Sequence, residues 1–184
     1  MIFLNSQRFT HPEKWILIGI PILFIVGSFF HFLYDLSGKS IIAGVVSPVN
    51  ESVWEHAKML LLPPIIWWVL YYLCKGKKYG IHQRQWFTGM LVSIVSSILS
   101  MMFVYYFYSQ AFGVRLLCVD IFILFLACLT GQSLGLHFYR NSRGFTPAIS
   151  ILLTAAIFSL FVYWTFQPPH IPLFYDSVKG TYGI

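Results

Sequence analysis

Five side chains between residues 31 and 56 could hold a metal ion: His31, Asp35, Glu51, Glu55 and His56. Mixed imidazole and carboxylate sets suit zinc, manganese or iron. A divalent metal there, zinc or similar, activates water for hydrolysis, and a spare carboxylate serves as general base. Glu55 and Asp120 are the candidates for that base. Spacing supports convergence. Ser28, His31 and Asp35 fall at i, i+3 and i+7, so they share one helical face. Glu51, Glu55 and Lys58 form a second such stripe, and Ser52, His56 and Met59 the stripe beside it. Three clustered carboxylates repel unless a cation, a proton or a lysine compensates. Lys58 offers a single positive charge. Asn50, Lys58, Ser28 and His170 are candidates to orient a substrate or a ligand around the metal.

The same residues support a second reading, in which Asp35, Glu51 and Glu55 pair with Lys58 and the histidines and pin a loop onto a helical bundle. Charges at membrane depth commonly pair with one another. Asp120 likewise has a structural option, pairing with Arg115 or Lys58 or capping a helix start.

These residues sit between apolar runs of hydrocarbon length. The chain has 184 residues, 58% hydrophobic, 19% aromatic and 10% charged, with a mean hydropathy of +0.73. Soluble domains carry about 25% charged residues. The composition therefore implies an integral membrane protein of one domain, residues 1–184, in an all-α bundle of five transmembrane helices. The spans read as Trp15–Tyr34, Met59–Leu73, Trp86–Tyr108, Val114–Phe138 and Pro147–Phe166. Met1–Lys14 reads as a polar surface segment, and its apolar neighbour is too long for a cleavable signal. Leu36–Val46 reads as loop. Ser47-Pro48 reads as the start of a short outer helix before the second span, with Ser47 as its cap. Pro63-Pro64 should kink or break the helix where it enters the second span. Ser93, Ser96, Ser97 and Ser100 make a small polar stripe suited to close helix packing. The tail after Gln167 is too polar and glycine-punctuated to span.

Charge placement orients the bundle. Arg8, Lys14, Lys75, Lys77, Lys78, Arg84, Arg140 and Arg143 fall on one side; Lys39, Lys58, Arg115 and Lys179 fall on the other. The positive-inside rule then places the N-terminus in the cytoplasm and the C-terminus outside a bacterial cytoplasmic membrane. His31, Asp35, Glu51, Glu55, Asp120 and the PPH…D tail share the outer side. The net charge of +6 sits in short loops that contact anionic lipid, which points away from nucleic acid. Partners are the bilayer and a lipid or small-molecule substrate; no protein partner is legible. Cys74, Cys118 and Cys128 have no metal-ligand spacing. No Walker loop, GxGxxG, HExxH or GxSxG motif occurs.

The strings HFLYDLSG, SPVNESVWEHAKM and PPHIPLF…D…GTYGI resemble an uncharacterised bacterial multi-pass membrane family, a domain of unknown function. The resemblance covers nearly the whole chain and implies a small helical membrane protein. A looser similarity is to membrane hydrolases of the ceramidase and progestin-receptor type. Those set Ser, His and Asp on early helices against two late histidines around zinc. Ser28, His31 and Asp35 echo the first half, but this chain has about five spans where those have seven and no late HxxxH. The expected function is a membrane-embedded, metal-dependent hydrolase with an outward-facing site. The alternatives are a small-solute binding or transport component, or a structural partner in a membrane complex.

Overall fold

The computed structural model describes residues 9–184. Most of the expected surface segment Met1–Lys14 lies outside them, and its described end joins the first helix. Among the described residues the α-helices, in chain order, are α1 His11–Leu36, α2 Ile41–Val46, α3 Val53–His56, α4 Leu62–Lys75, α5 Gln83–Phe112, α6 Leu117–Asn141 and α7 Pro147–Phe166. Among the described residues, five helical stretches are long and apolar enough to cross a membrane: α1, the run Val53–Lys75, α5, α6 and α7. Large apolar side chains such as Phe29, Phe103, Phe107 and Leu152 are exposed on their flanks. Apolar surface on that scale marks a face meant for lipid or a partner.

Two expectations about the short elements give way. Leu36–Val46 is not all loop, because Ile41–Val46 forms α2 behind Ser40 in an extended N-cap conformation. Ser47 does not start the next helix; it closes α2. The cap is Ser52, whose Oγ accepts the Glu55 backbone N–H at 3.3 Å. Lys58 stands in a 3₁₀ turn, Ala57–Leu60. The expected break then appears: Leu61 leaves ideal helical geometry, and Pro63 and Pro64 open α4. A proline near a helix start costs nothing there, because that N–H has no intrahelical acceptor.

Helices α5 and α6 form the most extensive pairing in the bundle, and two serines of the stripe lie in it. Ser93 and Ser97 are buried. They face Gly131 and Gly135 of α6, a small-xxx-small repeat that complements theirs. A Cβ at Gly131 would stand 2.6 Å from the Ser93 carbonyl oxygen and 2.8 Å from Ser97 Cβ. Only hydrogen fits there. Gln132 Nε2 donates to Ser93 Oγ at 2.9 Å. Helix α1 is tied to α4 by a stacked indole pair, Trp15 and Trp67, 3.9 Å apart. Each indole N–H donates to the other residue's carbonyl, at 3.2 and 3.3 Å. At the end of the bundle where α1 begins, Arg140 donates to Glu13 at 2.6 Å.

The tail folds back as a 3₁₀ turn, Pro172–Phe174, and a two-stranded antiparallel hairpin, β1 Tyr175–Asp176 with β2 Thr181–Tyr182. It covers the end of the bundle where α3 lies: Trp54 stacks on Phe161 of α7 at 4.0 Å and touches Phe174 at 4.9 Å.

The α5–α6 contact generates a test. Ser97→Leu and Gly131→Leu should each lower stability by about 1–3 kcal/mol through overpacking. Leu99→Ala, on the exposed flank of α5, should change it by about 0.5 kcal/mol or less. Melts in detergent read the difference.

Candidate functional site

The site begins with a loop held by a buried ion pair. Glu55 and Lys58 are 2% and 1% exposed, and their charged atoms lie 2.6 Å apart. Burial of one such charge alone is strongly unfavourable, so each is held by further bonds. The Glu55 carboxylate accepts the Val49 N–H at 3.1 Å and the Thr165 hydroxyl at 3.2 Å. The Lys58 ammonium donates to the carbonyls of Gly44 and Ser47, at 2.7 and 3.4 Å. One ion pair therefore joins α2, the segment after it, α3 and α7. The Ser52-x-x-Glu55 spacing would normally make a reciprocal capping box. Here Glu55 turns to Lys58, and the freed Ser52 N–H donates to Asn50 Oδ1 at 2.9 Å.

The tail locks the other side. Asp176 is fully buried. It accepts backbone N–H groups from Glu51 at 3.2 Å, Val178 at 2.8 Å and Lys179 at 3.1 Å. Asn50 Nδ2 donates to the Gly183 carbonyl at 2.9 Å. Asn50 is thus a strut between loop and tail; both ends of its amide are taken.

With the loop held, three of the five expected ligands come together. The Nε2 atoms of His31 and His56 are 3.2 Å apart. Glu51 Oε2 lies 3.7 Å from the first and 3.4 Å from the second. One ligand atom from each of the three falls within 4.8 Å of the others. Four-coordinate zinc with bonds of about 2.0–2.2 Å separates its donors by about 3.3–3.6 Å, so the spacing suits a single ion. His56 Nδ1 lies 2.8 Å from the Ser52 carbonyl oxygen. A ring N–H donated there leaves Nε2 with its lone pair facing Glu51 and His31, the usual way a carbonyl orients a ligating histidine. When the imidazoles instead turn Nε2–H groups toward Glu51, His31 before His56, they hold its carboxyl well below the ordinary carboxylate range. It is ionised at neutral pH, as a ligand must be. His31 Nδ1 is buried without a hydrogen-bond partner among the described residues.

The other expected residues lie elsewhere. Glu55 is removed from the ligand set, because Lys58, Val49 and Thr165 occupy its carboxylate. Lys58 is a buried tie and not a substrate-facing group. Asp35 is exposed and joins neither the cluster nor an ion pair among the described residues. The reason is geometric: it sits one turn, about 6 Å, beyond His31 along α1, past the level of His56. The Ser28 hydroxyl donates to the Phe24 carbonyl at 2.8 Å. His170 is exposed and stacks on Tyr182 at 4.6 Å. The Ser, His and Asp triad echoed by residues 28, 31 and 35 therefore does not assemble.

His31, Glu51 and His56 line a cleft of about 520 Å³, together with Ser28 and Asp120. Asp120 takes neither Arg115 nor Lys58 as partner. Its Oδ1 accepts the Tyr108 hydroxyl at 2.6 Å. Reading the chain alone missed Tyr108 and the Gly131/Gly135 pair. The GQSLG string of α6 was a usable signal for the last; the tyrosine carried none.

A model of a family of unknown function, DUF6512, matches residues 4–184. No curated protein and no solved structure matches the chain.

The buried pair yields a stability test. Lys58→Met should cost roughly 3–5 kcal/mol, because it strands the Glu55 charge. The double variant Glu55→Gln/Lys58→Met should recover part of that loss. Equal melting of single and double variants would show that the charge is not what Lys58 neutralises.

Proposed function

The chain belongs to DUF6512, a family of unknown function, so from the site itself we propose a membrane-embedded metal protein that works as a hydrolase. Its metal ligands are His31, Glu51 and His56. The observation that carries the reading is the convergence of their three donor atoms within 4.8 Å of one another. Two histidines and one glutamate with a fourth position open is a donor set of catalytic zinc sites. A zinc bound there would polarise a carbonyl or phosphoryl oxygen and lower the pKa of a bound water to about 7.

Asp120 is the general base in this reading. It lines the same cleft, and among the described residues only Tyr108 hydrogen-bonds its carboxylate. One oxygen is left to take a proton from water and return it to the leaving group. Tyr108 fixes the carboxylate's orientation. Glu55 no longer serves as base.

The second reading is a structural network. It is favoured by the 3.2 Å separation of the two Nε2 atoms, which also suits one imidazole donating to the other beside an ionised Glu51. Metal content separates the two. Purified chain dialysed against micromolar zinc should retain about one equivalent. His31→Ala, His56→Ala and Glu51→Gln should each lose it while melting near the parent, since ligands at one site act as a unit. A parent chain that retains no divalent metal supports the network.

The cluster faces outward in this proposal, with the N-terminus in the cytoplasm, by the charge asymmetry of the loops. In a chain stripped of native cysteines, Ser40→Cys and Lys179→Cys should react with an impermeant thiol reagent in intact cells. Protection of both would reverse the orientation.

A further inference from the structure

The cleft's walls say more about its occupant than the ligand cluster does. Its floor is apolar and buried: Met59, Met101, Ile123 and Leu124 are all under a tenth exposed. One stretch of its rim is also apolar, yet open. Phe32 on α1 is 57% exposed, and Leu117 and Ile121 at the start of α6 are 76% and 48% exposed. Both helices are among those long and apolar enough to cross a membrane. The cleft therefore opens on the flank that lipid would cover, between the end of α1 and the start of α6. A water-soluble solute would gain nothing from such a rim. A hydrocarbon chain could pass from the bilayer to the floor without crossing water.

Among the described residues, Arg115 is the one lysine or arginine that lines this cleft. Arg115 lies in the short connection between α5 and α6, and its guanidinium donates to the hydroxyl of Ser177 in the tail hairpin. Among the described residues it makes no salt bridge with a carboxylate. An arginine held by a neutral hydroxyl keeps its charge and most of its donors for another anion. The planar fork suits phosphate oxygens. Ser177 orients the side chain without neutralising it.

We propose that the cleft takes an anionic phospholipid, with its phosphate on Arg115 and one acyl chain between α1 and α6 over Met101 and Leu124. This rests on the cleft being the substrate site of the proposed hydrolase and names the class of that substrate. The ester linkages of such a lipid lie between chain and phosphate. That places an electrophilic carbonyl or phosphoryl group within the stretch bounded by the apolar floor and Arg115, which also contains His31, Glu51, His56 and Asp120.

Lipid binding to the purified full chain tests this, on samples whose zinc content is measured separately. The probes are phosphatidylglycerol, phosphatidylcholine with the same chains, and glycerol phosphate, which has the head and no chain. Phosphatidylglycerol should bind about tenfold tighter than phosphatidylcholine, because both carry the phosphate but choline sets a trimethylammonium cation against Arg115. Arg115→Gln should remove that preference, while Ile121→Trp on the exposed rim should weaken both lipids. Equal affinity for the two lipids, a preference that survives Arg115→Gln, or glycerol phosphate binding as tightly as phosphatidylglycerol would each overturn the proposal. A chain that prefers phosphatidylglycerol but retains no zinc keeps the lipid site and removes the metal reading. A chain that retains zinc but prefers neither lipid removes the lipid site alone.

Discussion

The Glu55–Lys58 pair is the constraint on which the rest of this end of the molecule depends. Two opposite charges with almost no exposure, 2.6 Å apart, tolerate little change in geometry. The low dielectric that strengthens their attraction also penalises any arrangement that leaves one alone. Each charge must therefore collect further partners, and those partners come from distant segments. Lys58 gathers the carbonyls of Gly44 and Ser47; Glu55 gathers Val49 and Thr165. Helix α2, residues 47–49 and α3 are joined to α7 as a result. Such a pair contributes little net stability compared with well-packed apolar residues. What it supplies here is a single position for the loop.

That position sets where Glu51 and His56 stand. His56 comes one residue after Glu55, so it leaves the helix on the side away from Lys58 and meets His31 of α1. Glu51 lies beyond the cap, where Asp176 holds its backbone N–H from the tail. The cluster is thus assembled by elements from three parts of the chain: the first span, the loop before the second, and the C-terminal hairpin. None of the three residues is deeply buried, which leaves the cluster open to the cleft. The buried charges Glu55, Lys58 and Asp176 hold the backbone that carries Glu51 and His56. The apolar floor and Arg115 line the same cleft as the cluster.

Much of the fold was legible from the chain because hydrocarbon-length apolar runs leave few options. The fifth span, Pro147–Phe166, has the same ends in the sequence and in the structure, since a proline opens it and Gln-Pro-Pro closes it. The third, expected to begin at Trp86, begins at Gln83, because helices extend past the apolar core into polar flanks. Helix α2 escaped notice since IIAGVV is short and holds a glycine. The start of α3 was misplaced because Ser-Pro is a strong start signal, yet Ser52-x-x-Glu55 was the one used. At the site, ligand types were legible and partners were not. Glu51 and Glu55 share a stripe; the choice between them turns on Lys58, three residues from Glu55, and on Thr165, far along the chain. Tyr108 beside Asp120 has no local signature at all. The resemblance to a family of unknown function is borne out by the match over residues 4–184.

Zinc K-edge absorption spectroscopy of the zinc-loaded chain tests the central claim most directly, because it reads the ligand set itself. The account predicts a four-coordinate ion with nitrogen and oxygen donors at about 2.0–2.1 Å and the outer-shell scattering of two imidazoles. His56→Ala should remove the scattering of one imidazole. Sulfur scattering at about 2.3 Å, from Cys74, Cys118 or Cys128, would contradict it, as would six oxygen neighbours with no imidazole signal.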